Sequence, residues 1–247
     1  MSLVAPRTTL AEPEPVLLLT AHGTRSPEGQ RTVTGIAERL RRRRPDLRVE
    51  LAYVDVQEPH VADSVAALTG AGLRVVVVPI LLSLGYHVEV DIAQAVAGRE
   101  SACATGALGP DPILADILVR RAEGAGGGPG DALVVAAAGS SRERAQADVD
   151  ALLDAVRCRW AGPVTVGYGS AASPTIADAV AAARDGSPRR VIAASYLIGP
   201  GHFADVIARA GADLTTRPLG THPELLTLVE RRYAEGLQRL ARVASPL

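Results

Sequence analysis

His22 and His87 are the residues of this chain whose type and setting could do chemistry. His22 stands in His22-Gly23-Thr24-Arg25, just after the apolar run Val16-Leu17-Leu18-Leu19. His87 ends the stretch Pro79-Ile80-Leu81-Leu82-Ser83-Leu84-Gly85-Tyr86-His87. A neutral imidazole ligates late first-row divalent metals, and it takes or gives a proton near neutral pH. No third histidine, cysteine or HExxH lies nearby to close a tight site, so the pair suits transient metal binding or proton abstraction. Glu89 and Asp91 follow His87 in the first turn of a predicted helix. They read either as acids favoured by a helix N-terminus or as groups that orient an imidazole or accept a proton. His60 and His222 fall at predicted helix starts, beside Pro59 and Pro223, and read as capping or solvent-facing residues.

The elements that must position the two histidines follow from the pattern around them. Val16–Leu19 reads as a strand buried on both faces, as in a parallel sheet. Ser26 can cap the helix that follows, and Pro27 suits its first position. His22 therefore sits in a strand-to-helix loop at the carboxyl end of a strand, where open α/β sheets bind ligands. The periodicity predicts a helix from Pro27 to about Arg43, a strand over Arg48–Val54, a helix opened by Pro59, and a buried strand at Val75–Val78. A helix from about His87 to Ala97, a short strand over Ala102–Ala107 and a helix from Asp111 to about Arg121 complete the unit.

After Gly124–Gly130 the pattern starts again. Ala138-Gly139-Ser140-Ser141 takes the place of His22-Gly23-Thr24-Arg25, 116 positions on, and Gly201-His202 echoes Tyr86-His87 at a shift of 115. The expected fold is α/β: two tandem lobes related by internal duplication, each a four-stranded, mostly parallel sheet of order 2-1-3-4 flanked by helices. The boundaries expected are a loose tail over 1–15, a first lobe over 16–123 carrying the active site, a flexible glycine-rich linker over 124–130, and a second lobe over 131–247. Each lobe is long enough to bury its own core, and the carboxyl ends of both sheets should face a cleft between them. His22 and His87 would then meet at one mouth. Ala138 in place of the first histidine implies one site per chain.

Composition narrows the classes. The 247 residues carry a formal net charge of −1, which offers no basic footprint for nucleic acid or an anionic membrane surface. All 26 basic residues are arginine, which removes Schiff-base chemistry and the Walker lysine. Cys103 and Cys158 stand far apart with no CxxC, and both read as buried thiols. No apolar run is long enough to span a bilayer, and the first fifteen residues lack the pattern of a signal peptide, so a cytoplasmic setting is expected.

His22-Gly23-Thr24-Arg25, Glu58-Pro59, and Pro79 to His87 followed by Asp91-Ile92 together resemble the sirohydrochlorin chelatases, class II tetrapyrrole chelatases, in their long two-lobed form. The resemblance spans essentially the whole chain and is more specific in the first lobe. Ala93 stands where a proline often follows the Asp-Ile pair, and Thr24 stands for a common serine.

The resemblance implies two chelatase-like α/β lobes with sirohydrochlorin in the cleft. It implies His22 and His87 as the active-site and metal-binding histidines; Arg25, Ser83 and Gly85 are the expected substrate contacts, with Glu89 and Asp91 placed to stand behind an imidazole. Arg142 and Arg144 lie opposite on the second lobe and are further candidates for the substrate carboxylates, with surface ion pairing the preferred reading. Fe²⁺ is the favoured metal substrate and Co²⁺ the alternative, with no permanently bound cofactor. The partners are sirohydrochlorin and a divalent metal, with no nucleic acid and no membrane, and the chain is expected to work as a monomer. A non-catalytic metal or tetrapyrrole carrier and a two-lobed small-molecule sensor are the competing classes.

Overall fold

The structure, a computed structural model, describes residues 13–83 and 85–244, and for Tyr86, His87, Val88, Val243 and Ala244 it describes the backbone only. The first half runs β1 (Val16–Ala21), α1 (Pro27–Arg43), β2 (Val49–Tyr53), α2 (Val61–Gly70), β3 (Val75–Pro79), α3 (Tyr86–Val96), β4 (Ala102–Ala104) and α4 (Pro112–Gly124). The second repeats it with β5 (Ala132–Ala137), α5 (Glu143–Arg157), β6 (Val164–Tyr168), α6 (Ile176–Asp185), β7 (Val191–Tyr196), α7 (His202–Ala208), β8 (Leu214–Thr215) and α8 (Pro223–Ala244). The sheets have the orders β2-β1-β3-β4 and β6-β5-β7-β8, parallel throughout. The expected fold class and strand order are therefore found in both halves.

Every residue of β1, β3, β5 and β7 is buried, because these inner strands are covered on both faces. At the start of α1, Ser26 Oγ accepts from the Gly29 N–H at 3.3 Å and Pro27 fills the first position, as expected. The second helix starts at Val61, later than its proline suggests. The Pro59 carbonyl accepts from the Tyr53 N–H at 2.9 Å and His60 bridges Tyr53, so the chain first extends the edge of β2.

The helix layers depart from the picture of two self-contained lobes. Helices α2 and α3 cover one face of the first sheet and α6 and α7 one face of the second. The facing layers are exchanged: α8 packs on β3 and β4, and α4 packs on β7 and α5. Cys103 Sγ lies 3.3 Å from the Gly236 carbonyl, Arg239 Nη1 donates to the Ala104 carbonyl at 2.6 Å, and a Cβ added to Gly236 would stand 2.2 Å from Val76 Cγ1. In the reverse direction, Arg121 Nη2 of α4 donates to the Leu219 carbonyl at 2.7 Å, and Asp116 pairs with Arg159 at 2.5 Å. One central core thus contains Leu19, Val78, Leu118, Val135, Ile192 and Val229 together. Helical periodicity tells which face is apolar and not which sheet that face will cover.

Residues 124–130 hold this exchange. Gly124 closes α4, Gly128 N–H donates to the Asp131 carboxylate at 2.9 Å, and Arg190 pairs with that carboxylate at 2.8 Å while donating to the Gly126 carbonyl. A Cβ on Gly127 would lie 2.4 Å from Ile192 Cδ1, so glycine here permits close approach where the sequence suggests a loose linker. Cys103 is part-buried in β4, and burial pushes its thiol pKa up. Cys158 is exposed, against expectation: it lies two residues past buried Val156, on the solvent side of the α5 terminus. Residues 1–12 of the expected tail lie outside the described residues. Among the described residues no helix is long and apolar enough to cross a membrane.

Candidate active site

Within each sheet the parallel strands end on one side, so the loops after β1 and β3 share one edge and those after β5 and β7 another. Thr20 pairs with Pro79, and two residues further on His22 comes level with Leu81. Both line a cleft of about 420 Å³. Leu82, Ser83 and Gly85 complete the first half's wall. Ala138, Gly139, Ser140, Gln146, Tyr168 and Phe203 are prominent in the second half's wall, so all four strand ends converge. His22 is the one metal-ligating nitrogen among the described lining residues, and its side chain is exposed.

The other expected site residues divide. Ser83 and Gly85 line the cleft, and Gly85 is the N-cap of α3. His87 follows in the first turn of α3, with its side chain outside the described residues. Arg25 is exposed on the loop after β1 and is not part of the lining. Glu89 crosses to the second half, where its carboxylate meets Arg142 Nη1 at 3.2 Å and Arg144 Nη1 at 3.6 Å. It faces these arginines, which take the ion-pair role expected of them. Asp91 lines a separate groove with His60, Asp63 and Arg99. The step from Glu89 to Asp91 turns the helix through about 200°, which is enough to change faces. His222 Nδ1 accepts from the Glu224 N–H at 3.3 Å, the expected cap, whereas His60 is the N-cap residue of α2 without a side-chain cap bond, its exposed imidazole pairing with Glu58 at 3.0 Å.

The loop that presents His22 is built twice. Gly23 has φ +99° and Gly139 φ +95°, and an added Cβ would stand 2.0 Å from the Asp55 carbonyl oxygen or 1.9 Å from that of Ser170. Gln30 Nε2 donates to the Thr24 carbonyl at 2.8 Å, and Gln146 Nε2 to the Ser140 carbonyl at 3.1 Å. Thr24 Oγ1 accepts from the Ser26 N–H at 3.1 Å, and Ser140 Oγ from the Arg142 N–H at 3.2 Å. The scaffold persists in the second half while Ala138 takes the imidazole's place.

Sequence reasoning followed the histidines and missed the wall opposite them. Tyr168, Tyr196 and Phe203 line the cleft from the second half, in a chain with five tyrosines and one phenylalanine. That concentration, at the ends of repeats of a histidine-bearing segment, was the available signal. Burial pushes the Tyr196 phenol above its ordinary pKa, with Asp148 and Asp111 adding to it, and Tyr168 is raised by burial and Asp150. Both phenols therefore stay neutral and the wall contributes no charge.

A tandem fold of this kind has clear relatives. The family model CbiX matches this chain twice, over residues 16–125 and 132–236. A protein of Methanosarcina barkeri named sirohydrochlorin cobaltochelatase is 26% identical over 121 residues, which is 43% of this chain and 93% of that protein. Among solved structures, SirB from Bacillus subtilis with Fe³⁺ superposes with a TM-score of 0.78 at 18% identity, covering 93% of this chain and 98% of SirB. SirB from Bacillus subtilis subspecies spizizenii in complex with cobalt gives 0.74 at 16% identity, over 92% and 96%. With both halves matched by one model and the paired sheets matched by SirB, this chain belongs to the CbiX family, the sirohydrochlorin chelatase family its motifs resemble.

Proposed function

We propose that this chain inserts a divalent metal, Fe²⁺ in the first instance, into sirohydrochlorin, and that the site lies in the first half, over 16–123, with 131–247 as the wall of a lost second site. The observation that carries this reading is the placement of His22: an exposed imidazole on a cleft bounded by four strand ends, with a neutral aromatic and apolar wall in the second half. Insertion requires the macrocycle to lose two pyrrole protons and the metal to approach one ring face. His22 and His87 deliver the metal and accept the protons from the first half's side. Tyr168, Tyr196 and Phe203 hold the opposite face of the planar ring by apolar and stacking contact. Ser83 and Gly85 meet the ring edge, and Arg25 reaches substrate carboxylates from the mouth. The metal is substrate and no resident cofactor is invoked. Because one chain supplies both walls, it works as a monomer, in the cytoplasm.

Co²⁺ is the second reading, favoured by the cobaltochelatase name of the half-length relative. Imidazole ligands fit both metals, so the donor set does not choose between them. Anaerobic absorbance of sirohydrochlorin with purified protein and Fe²⁺, Co²⁺ or Ni²⁺ in turn tests both. Faster conversion with Fe²⁺ supports the first reading and faster conversion with Co²⁺ the second. A bound but unchanging spectrum with every metal would leave a tetrapyrrole-binding protein.

A further inference from the structure

The first sheet's hold on the segment between β3 and α3 ends early. Ile80 N–H donates to the Thr20 carbonyl at 2.9 Å, the Leu81 carbonyl accepts from the Leu108 N–H at 2.8 Å, and α3 then starts at Tyr86. Polar side chains of the second half then meet this segment at both of its ends. At one end the buried Tyr196 hydroxyl, on the last residue of β7, donates to the Leu82 carbonyl at 3.4 Å. A Cβ on Gly109 would stand 2.4 Å from both of these oxygens, so the contact needs a glycine beside it. At the other end Arg142 and Arg144 hold the two oxygens of Glu89, one turn into α3.

These contacts run in one direction only. At the equivalent positions Ile80 stands for Tyr196, Ala204 for Glu89 and Ser26 for Arg142, so the reverse contacts lack the phenol, the carboxylate and the guanidinium. On that side the backbone packs directly instead. A Cβ on Gly29 would lie 2.7 Å from the Pro200 carbonyl oxygen, and one on Gly199 would lie 3.2 Å from Thr32 Cβ. The His202 side thus meets the first half by close packing at glycines, while the His87 side meets the second half through long side chains.

We infer that the second half, having lost the first histidine, serves as a clamp on the segment that carries His87, with Tyr196, Arg142 and Glu89 as positioning residues. The inference rests on the proposed function and deepens it. The Glu89 pairs are part-exposed, with side-chain exposures of 39% for Glu89, 35% for Arg142 and 80% for Arg144, so they contribute little to stability. Their effect is on where the start of α3 stands, and a small displacement of a reacting group is costly in rate.

The test uses the full chain with Glu89→Gln, Arg142→Gln, the double variant, and Tyr196→Phe. Each single change is expected to lower kcat for metal insertion about tenfold with KM within about twofold. The double variant should be no slower than the worse single one, because both remove the same contact. Amide hydrogen exchange over residues 85–89 should quicken in every variant. Unchanged kcat with unchanged exchange would overturn the clamp. So would losses that multiply in the double variant and fall in KM, since Arg142 would then be binding substrate itself. If the wild type turns over no tetrapyrrole, the proposed function fails, and the exchange measurement still decides the clamp.

Discussion

At the scale of single residues, the site separates groups that act from groups that hold them. His22 is exposed, so His22→Ala should stay within about 0.5 kcal/mol of wild-type stability while losing chelation. Urea unfolding set beside insertion rates checks both halves of that statement. Gly23 is the reverse case. With φ +99° and a Cβ position 2.0 Å from the Asp55 carbonyl oxygen, Gly23→Ala should cost about 2–4 kcal/mol and displace the imidazole with the loop. His22 and its glycine could be read from sequence because strand, loop and capped helix follow one another locally. Tyr196 and Arg142 could not, because what matters about them is a contact with Leu82 and with Glu89, far away in the chain.

At the scale of elements, periodicity identified the helices and inner strands and was silent on which sheet each helix covers. The same limit explains the connection between the halves: glycine content suggested slack, whereas Asp131 ties it down. The guanidinium of Arg190 and the Gly128 N–H hold the Asp131 carboxyl below the ordinary carboxylate range. A carboxyl depressed in the folded state adds stability above its unfolded pKa and loses it as pH falls through the folded value. Asp131→Asn should therefore lower Tm at pH 7, and the gap to wild type should narrow below about pH 4, as both forms lose the charge. Thermal melts at pH 7, 5 and 3 measure it, and a gap independent of pH would show that the ion pair is not its source.

At the scale of the whole molecule, the two halves repeat one fold, and the proposed site uses the mouth of the first. The exchange of α4 and α8 makes the halves interdependent. Residues 16–131 alone would leave Leu114, Ile117 and Leu118 of α4 and the α8-facing side of the first sheet without their partners. That fragment is expected to form a dimer that exchanges α4 between copies, and light scattering that finds a stable folded monomer would contradict the shared core. The central claim is that two histidines on one wall insert the metal. Its most direct test is the anaerobic rate of sirohydrochlorin conversion with Fe²⁺ and with Co²⁺ for wild type, His22→Ala and His87→Ala. Metal-dependent conversion that is lost in both variants, with the tetrapyrrole still bound, is the expected result. Conversion that proceeds at the wild-type rate without either imidazole would contradict it.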